Sequence, residues 1–185
     1  MNRRLLLLAV IFSMAIFSSV SATAQTIFVK VWDENNTVLV GSTVQIGYTQ
    51  QTEITSFGQE SSTCAINTPS CTSITGNFIY NFIGDQTITD YRRALYLRRV
   101  WRKVEISFTR INPQGGAPLT YEKITLQDVL VTDLTHSATE GGPASFQVKL
   151  DPVKISWTFT PTNQQTGAAG TPRTFNWDRS TNSTF

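Results

Sequence analysis

Histidine occurs once in this sequence, at His136, and cysteine only twice, at Cys64 and Cys71. That scarcity removes most catalytic and metal-binding chemistry. A Cys/His nucleophile pair or a His-based zinc site needs more imidazole and thiolate than the chain holds. His136 lies in a polar strand-to-turn segment, where a lone imidazole is ordinarily exposed. A Ser-His-Asp triad can be drawn formally with Asp133, but no Gly-x-Ser-x-Gly elbow supports it. Glu53, Glu105, Glu122 and Asp128 stand singly on strand faces, not as the facing pair that glycoside hydrolysis uses. Phosphate-cradling glycine loops, dinucleotide fingerprints and calcium loops are also missing. The chain reads as a protein that is not an enzyme, with no catalytic residue, metal or cofactor.

An excess of one charge is missing too. Arg3 and Arg4 account for the whole formal net charge of +2, so the rest of the chain is balanced and a nucleic-acid partner is not expected. The one long apolar run, Leu5 to Phe17 with Ser13 inside, falls short of the roughly 20 residues that span a membrane. Asn2-Arg3-Arg4 precedes it and Ala22-Thr23-Ala24 follows, the layout of a secretory signal peptide with an Ala-x-Ala cleavage site. Residues 1–24 are therefore expected to be removed near Ala24. Residues 25–185 would be released as one domain into the bacterial periplasm or the medium, with no membrane span. An even cysteine count in an exported protein points to a Cys64–Cys71 disulfide, contributing about 2–3 kcal/mol by loop-closure entropy. The alternative, a metal pair, lacks further ligands nearby.

Leu, Lys and Glu are sparse, while Thr, Val, Ile, Phe and Trp are plentiful, which favours strands. Alternation predicts strands over Thr26–Asp33, Val38–Val40, Val44–Tyr48, Glu53–Phe57, Phe78–Ile83 and Val104–Phe108. Later strands are expected over Phe146–Leu150, Val153–Phe159 and Phe175–Asp178. In Tyr121–Leu134 the apolar positions change phase: Ile124 and Leu126 are even, Val129 and Val131 odd. A slip of one residue would send every later side chain to the opposite face, so a β-bulge near Gln127-Asp128 and a curved strand are expected. Residues 59–76, rich in Ser, Thr, Asn and Pro, form a long loop of the functional kind.

One helix is expected over Thr87–Arg99, with Ile88, Tyr91 and Leu95 on one face and Thr87 or Thr89 as cap. Arg92, Arg93, Arg98 and Arg99, with Arg102 and Lys103 behind them, form the one charge cluster. They read either as a contact with an acidic surface of a neighbouring subunit or as the solvated face of the helix.

The segment Tyr121-Glu-Lys-Ile-Thr-Leu-Gln-Asp-Val-Leu-Val131 resembles a strand of the haemolysin-coregulated protein (Hcp) family, the tube protein of type VI secretion. Three further pieces follow in that family's order. Val148–Leu150 is similar to its next strand. Val153-Lys-Ile-Ser-Trp-Thr-Phe-Thr-Pro161 is similar to a Lys-Ile-x-Trp-x-Tyr-x-Pro strand. Phe175-Asn-Trp-Asp178, with Asn182 behind it, is similar to a closing aromatic-x-Trp-Asp segment. The resemblance covers roughly residues 104–182. It implies a mainly β fold, a barrel of two antiparallel sheets with one short helix packed outside. It also implies homohexameric rings, stacking into tubes, that carry protein cargo in a lumen. The signal peptide and the cysteine-bearing loop depart from the family pattern, so the expected protein is an exported variant. The competing expectation is a monomeric β-sandwich adhesion or glycan-binding module using Trp32, Trp101, Trp157 and Trp177.

Overall fold

The computed structural model describes residues 25–62 and 74–185. The signal segment and the Cys64–Cys71 pair lie outside the described residues. Among these residues the order is β1 Thr26–Trp32, β2 Thr52–Ser62, β3 Ile74–Ile83, α1 Ile88–Leu97, β4 Val100–Arg110, β5 Leu119–Ser137, β6 Ser145–Phe159 and β7 Arg173–Asp178.

The strands are hydrogen-bonded in the order β3-β2-β1-β4-β5-β6-β7, and β3 pairs back onto β6. That last pairing closes β1 to β6 into a barrel and leaves β7 outside it. The two expected sheets are thus two flanks of one continuous antiparallel ladder. The hinge between them is β6, which joins the two strands expected at Phe146–Leu150 and Val153–Phe159. On one side its first half meets β3, from Phe82↔Phe146 to Phe78↔Leu150. Its second half meets β7, from Lys154↔Asp178 to Phe159↔Arg173. Pro152 stands between the two partners, where the N–H it lacks interrupts neither ladder. Arg179 takes up the carbonyls there: its backbone N–H donates to Val153 O at 2.9 Å and its guanidinium to Pro152 O at 2.6 Å.

The core is the inward face of this curled sheet. Phe78, Tyr80, Phe82, Ile106, Ile124, Leu126, Leu150 and Ile155 are all fully buried, each contributing about 1.5–3 kcal/mol of apolar transfer energy. The expected change of phase in β5 is present, with Ile124, Leu126, Val129 and Val131 all buried. Its mechanism differs from a bulge that adds a residue. The β4–β5 register is the same on both sides of Asp128, with Lys103↔Gln127 and Trp101↔Val129. The β5–β6 register is likewise kept, with Gln127↔Lys154 and Val129↔Pro152. Arg102, Asp128 and Val153 drop out of the ladder together, one from each of three adjacent strands. The strands therefore change phase in line: Trp101 then Val104 in β4, Leu126 then Val129 in β5, Pro152 then Ile155 in β6. A concerted change keeps all three apolar rows on the same side of the sheet. True register shifts of β5 lie elsewhere, opposite Phe108/Thr109 and between Val131 and Asp133.

Asp128 achieves its part with φ of 51°, a left-handed conformation that Asp tolerates better than most residues and β-branched side chains resist. Because Asp128 is exposed, substitution there tests backbone conformation alone. Asp128→Val is expected to cost about 1–2 kcal/mol, while Asp128→Gly stays close to neutral. Urea denaturation would measure both, and equal midpoints for the two variants would refute the assignment.

Strands expected at Val38–Val40 and Val44–Tyr48 do not form. Val38 makes one isolated bridge to Trp32, and residues 41–51 are folded on themselves by Gly41 N→Gln50 O at 2.7 Å and Gln50 N→Thr43 O at 2.8 Å. Gly47 and Gln50 have φ of 84° and 63°, far from the values of a regular strand. The loop is pinned to the barrel by Tyr48, whose ring stacks on Phe28 at 4.3 Å and whose hydroxyl meets that of Thr120.

The helix forms where expected, and Tyr91 and Ala94 are its buried face, with Ile88 and Leu95 packed beside them. Thr87 is the N-cap residue but its side chain makes no capping bond. Asp85 explains this: its Oδ1 accepts both the N–H of Thr87, at 2.9 Å, and its hydroxyl. Asp85 Oδ2 accepts the Thr52 hydroxyl at 3.0 Å and the Ser42 N–H at 3.3 Å, so one carboxylate ties the helix entry, β2 and the 41–51 loop together.

Candidate assembly surfaces

Barrel closure satisfies most strand edges but not all of them. β7 is the last strand of the sheet, with β6 on one side only. Asp178 exchanges backbone hydrogen bonds with Ser183 on the outer side, at 2.8 and 3.2 Å. Alternation along an antiparallel strand then turns the backbone groups of Asn176 and Thr174 outward as well. The second edge is in β2, which pairs with β1 only through Thr52, Glu53 and Ile54. Residues 56–58 have a ladder neighbour only in β3 among the described residues, and Thr55 sits at the register shift beside them. Exposed strand edges of this kind invite pairing with another chain.

β7 is amphipathic. On one face Trp157, Phe175 and Trp177 form a run of stacked rings with centroids 5.6 and 6.3 Å apart. On the other, Ser156 donates to Asn176 at 2.7 Å, Thr158 meets Thr174 at 3.1 Å, and Lys154 pairs with Asp178 at 3.6 Å. Hydrogen bonds from the Ser180 hydroxyl and the N–H groups of Ser180 and Thr181, together with Lys154, hold the Asp178 carboxyl below the usual carboxylate range. Trp157 and Trp177, both half-buried, flank the exposed Phe175 in that run, while the other two tryptophans lie apart from it. Trp101 is buried against Tyr91 with ring centroids 4.9 Å apart, Trp157 donates to Gln59 at 3.2 Å, and Trp32 carries Lys103 over its ring at 3.7 Å.

The arginine cluster divides in two. Arg99 pairs with Glu34, and Arg93 with Asp90 at 3.6 Å. Arg92 lies over the Phe146 ring at 5.9 Å and Arg98 ends the helix with φ of 51°; neither has a carboxylate within ion-pair distance among the described residues. Between them Tyr96, Leu97 and Val100 are exposed, Tyr96 to 81%. The sequence marked the arginines but not this apolar company. Its signal was available, since Tyr96 and Leu97 fall off the Ile88, Tyr91, Leu95 stripe. Like-charged side chains alone would suit a solvated face; two unmatched guanidiniums beside exposed apolar groups suit a contact.

His136 is exposed and stacks flat on Phe146 at 4.6 Å. Among the described residues no group of three His, Cys, Asp or Glu side chains could hold a metal ion, and no helix is long and apolar enough to cross a membrane.

No family model matches the chain, and no curated protein matches it either. Solved structures do. Hcp1 from Salmonella typhimurium superposes with a TM-score of 0.70 at 16% identity, covering 88% of this chain and 99% of that one. A type six secretion system protein matches with a TM-score of 0.72 at 16% identity, covering 88% and 100%. The secreted protein Hcp3 from Pseudomonas aeruginosa gives 0.63 at 16% identity, over 83% and 99%. The superpositions run over nearly the full length of each of these proteins: the chain has the Hcp fold.

Proposed function

We propose that this chain is an exported structural subunit of the Hcp kind, not an enzyme, that assembles into hexameric rings around a lumen able to hold protein cargo. The observation that carries this reading is a pair of strand edges without a ladder neighbour among the described residues, on an otherwise closed barrel of that fold. β7 and residues 56–58 of β2 are different surfaces, so pairing one with the other in the next copy makes a heterologous contact, which closes into a ring when the rotation divides a full turn. In this reading Arg92 and Arg98, with Tyr96, Leu97 and Val100, belong to the same subunit contact, along with Arg93 and Arg99. The signal segment routes the subunit through the cell envelope, and a Cys64–Cys71 disulfide suits that oxidising compartment.

The mature chain is expected to give six-membered rings by light scattering and negative-stain microscopy. Thr174→Pro removes an outward N–H of β7 without touching the β6 ladder, and it should leave a folded monomer. Arg92→Glu with Arg98→Glu keeps both helix ion pairs and should weaken assembly at least tenfold, more strongly at low salt. A mature chain that stays monomeric at all concentrations would exclude the ring.

A further inference from the structure

We propose that one end of the barrel, built by residues 41–48, 111–118 and 160–172, is a docking face for the same end of a second copy of this chain. The inference rests on the ring reading only for what the docking unit is; it adds how two units meet. Three segments far apart in sequence converge there. Gln45 lines the same hollow as Asn112, Gly115 and Pro118, and Gly47 packs so close to Ala117 that a Cβ would lie 3.1 Å from its Cβ. Gly167 is set equally close against Asn112 and Leu119, and the Arg110 guanidinium donates to Thr162 O at 2.5 Å.

What these segments share is the absence of charge. Residues 37–52, 111–121 and 159–172 contain no Asp, Glu, Lys or Arg at all. Arg110 lies at their base with its guanidinium turned onto a backbone carbonyl. In place of charges the surface carries Gln, Asn and Thr, with three aliphatic side chains standing out of it: Val44 at 88% exposure, Ile46 at 68% and Ile111 at 58%. Two hollows sit beside these knobs, one of ≈ 350 Å³ bordered by Gln25, Tyr121 and Gln164, the other of ≈ 230 Å³ bordered by Gln45 and Asn112. A face with both knobs and hollows can be complementary to itself, which a two-fold contact requires.

Charge decides between the ways two copies can stack. The opposite end of the barrel holds Asp33, Glu34, Asp90, Arg102 and Glu140, besides the arginines assigned above to the ring contact. Setting the uncharged end against it would desolvate those groups with nothing but amides and aliphatics opposite, an unfavourable exchange. Two charged ends facing each other would desolvate the same groups on both copies. The uncharged end against itself meets Arg110, whose guanidinium already donates to Thr162 O, and removes Val44, Ile46 and Ile111 from water. Such a contact is isologous and closed, so stacking stops at two units instead of running on as a tube.

The test compares the particle mass of the mature chain with that of Val44→Lys/Ile46→Lys, by light scattering over a range of concentrations. Both side chains are exposed, so the variant should keep its circular dichroism and thermal transition. The wild type should have twice the mass of the variant, with two units seen edge-on by negative-stain microscopy, and moderate salt should leave the pairing intact. Glu140→Lys, in the exposed β5–β6 turn at the other end, should keep the pairing of units. Equal masses for wild type and variant, or wild-type stacks longer than two units, would overturn the proposal. The ring reading is judged separately, from the unit left in the variant. A monomeric unit that still doubles in the wild type removes the ring and keeps the docking face; a six-membered ring that never doubles does the reverse.

Discussion

Tyr91→Ala is expected to remove about 4–8 kcal/mol of folding stability, most of what a domain of this size possesses. Tyr91 is the residue through which the helix grips the barrel. Its ring is fully buried and lies edge-on to Trp101 at 4.9 Å and against Phe82 at 5.3 Å, and aromatic truncation at such a site costs about 3–5 kcal/mol. Its hydroxyl meets that of Tyr80 at 2.7 Å in the same buried layer, and losing it leaves the Tyr80 hydroxyl without that partner, at about 1–3 kcal/mol. Tyr91→Phe keeps the ring and should cost only the second part. Equilibrium denaturation followed by tryptophan fluorescence separates the two; equal losses for Ala and Phe would show that ring packing contributes nothing.

The same pair sets the alkaline limit of the fold. Burial pushes both the Tyr80 and the Tyr91 phenols well above their ordinary value. A raised folded-state value means that the neutral form is the one the fold holds. Its stabilisation is complete below the unfolded value near ~10 and is lost as pH rises from there toward the folded values. Each phenol then contributes a slope of about 1.4 kcal/mol per pH unit. Replacing both by Phe should flatten the loss of stability above that pH, and an unchanged slope would place its origin elsewhere.

Much of this architecture could be read from periodicity. β1, β4 and β5 follow their alternation over the stretches where one face is buried, and burial is what period-two patterns record. The phase change at Asp128 was visible for the same reason, as two apolar rows out of step. The sequence could not show that Arg102 and Val153 leave the ladder on the same line, because that alignment is a matter of register between strands. The failures at Val38–Val40 and Val44–Tyr48 have a physical source. Those residues have β-branched side chains and alternate, yet Gly41, Gly47 and Gln50 bend the backbone away from any free edge. Thr87 looked like a capping residue because Asp85 was not credited with competing for it. Among the surfaces, the arginines declared themselves by charge. The edge of β7 and the uncharged end did not, since the first is defined by a missing neighbour and the second by segments that only the fold brings together.

Gly41→Val joins the stability of the 41–51 loop to the way copies meet. A Cβ at Gly41 would lie 2.3 Å from the Gln51 carbonyl carbon and 2.6 Å from the Thr52 nitrogen. These are backbone atoms that cannot swing aside as a side-chain tip can. Thr52 is held by its ladder with Val29 and by Asp85, so the strand stays and the loop must move. Overpacking of this kind costs about 1–3 kcal/mol. It should also break the Gly41–Gln50 and Thr43–Gln50 bonds that set the shape of the loop, and lift Tyr48 from Phe28. Val44 and Ile46 would remain present but no longer held in one arrangement, and a docking face loses affinity when its knobs must first be ordered. The expected outcome is a domain that still folds, with a denaturation midpoint lowered by that amount and an end-to-end pairing weakened at least tenfold relative to wild type. Pairing that survives the substitution at full strength, in a variant destabilised as expected, would show that the shape of the 41–48 loop is not what the second copy recognises.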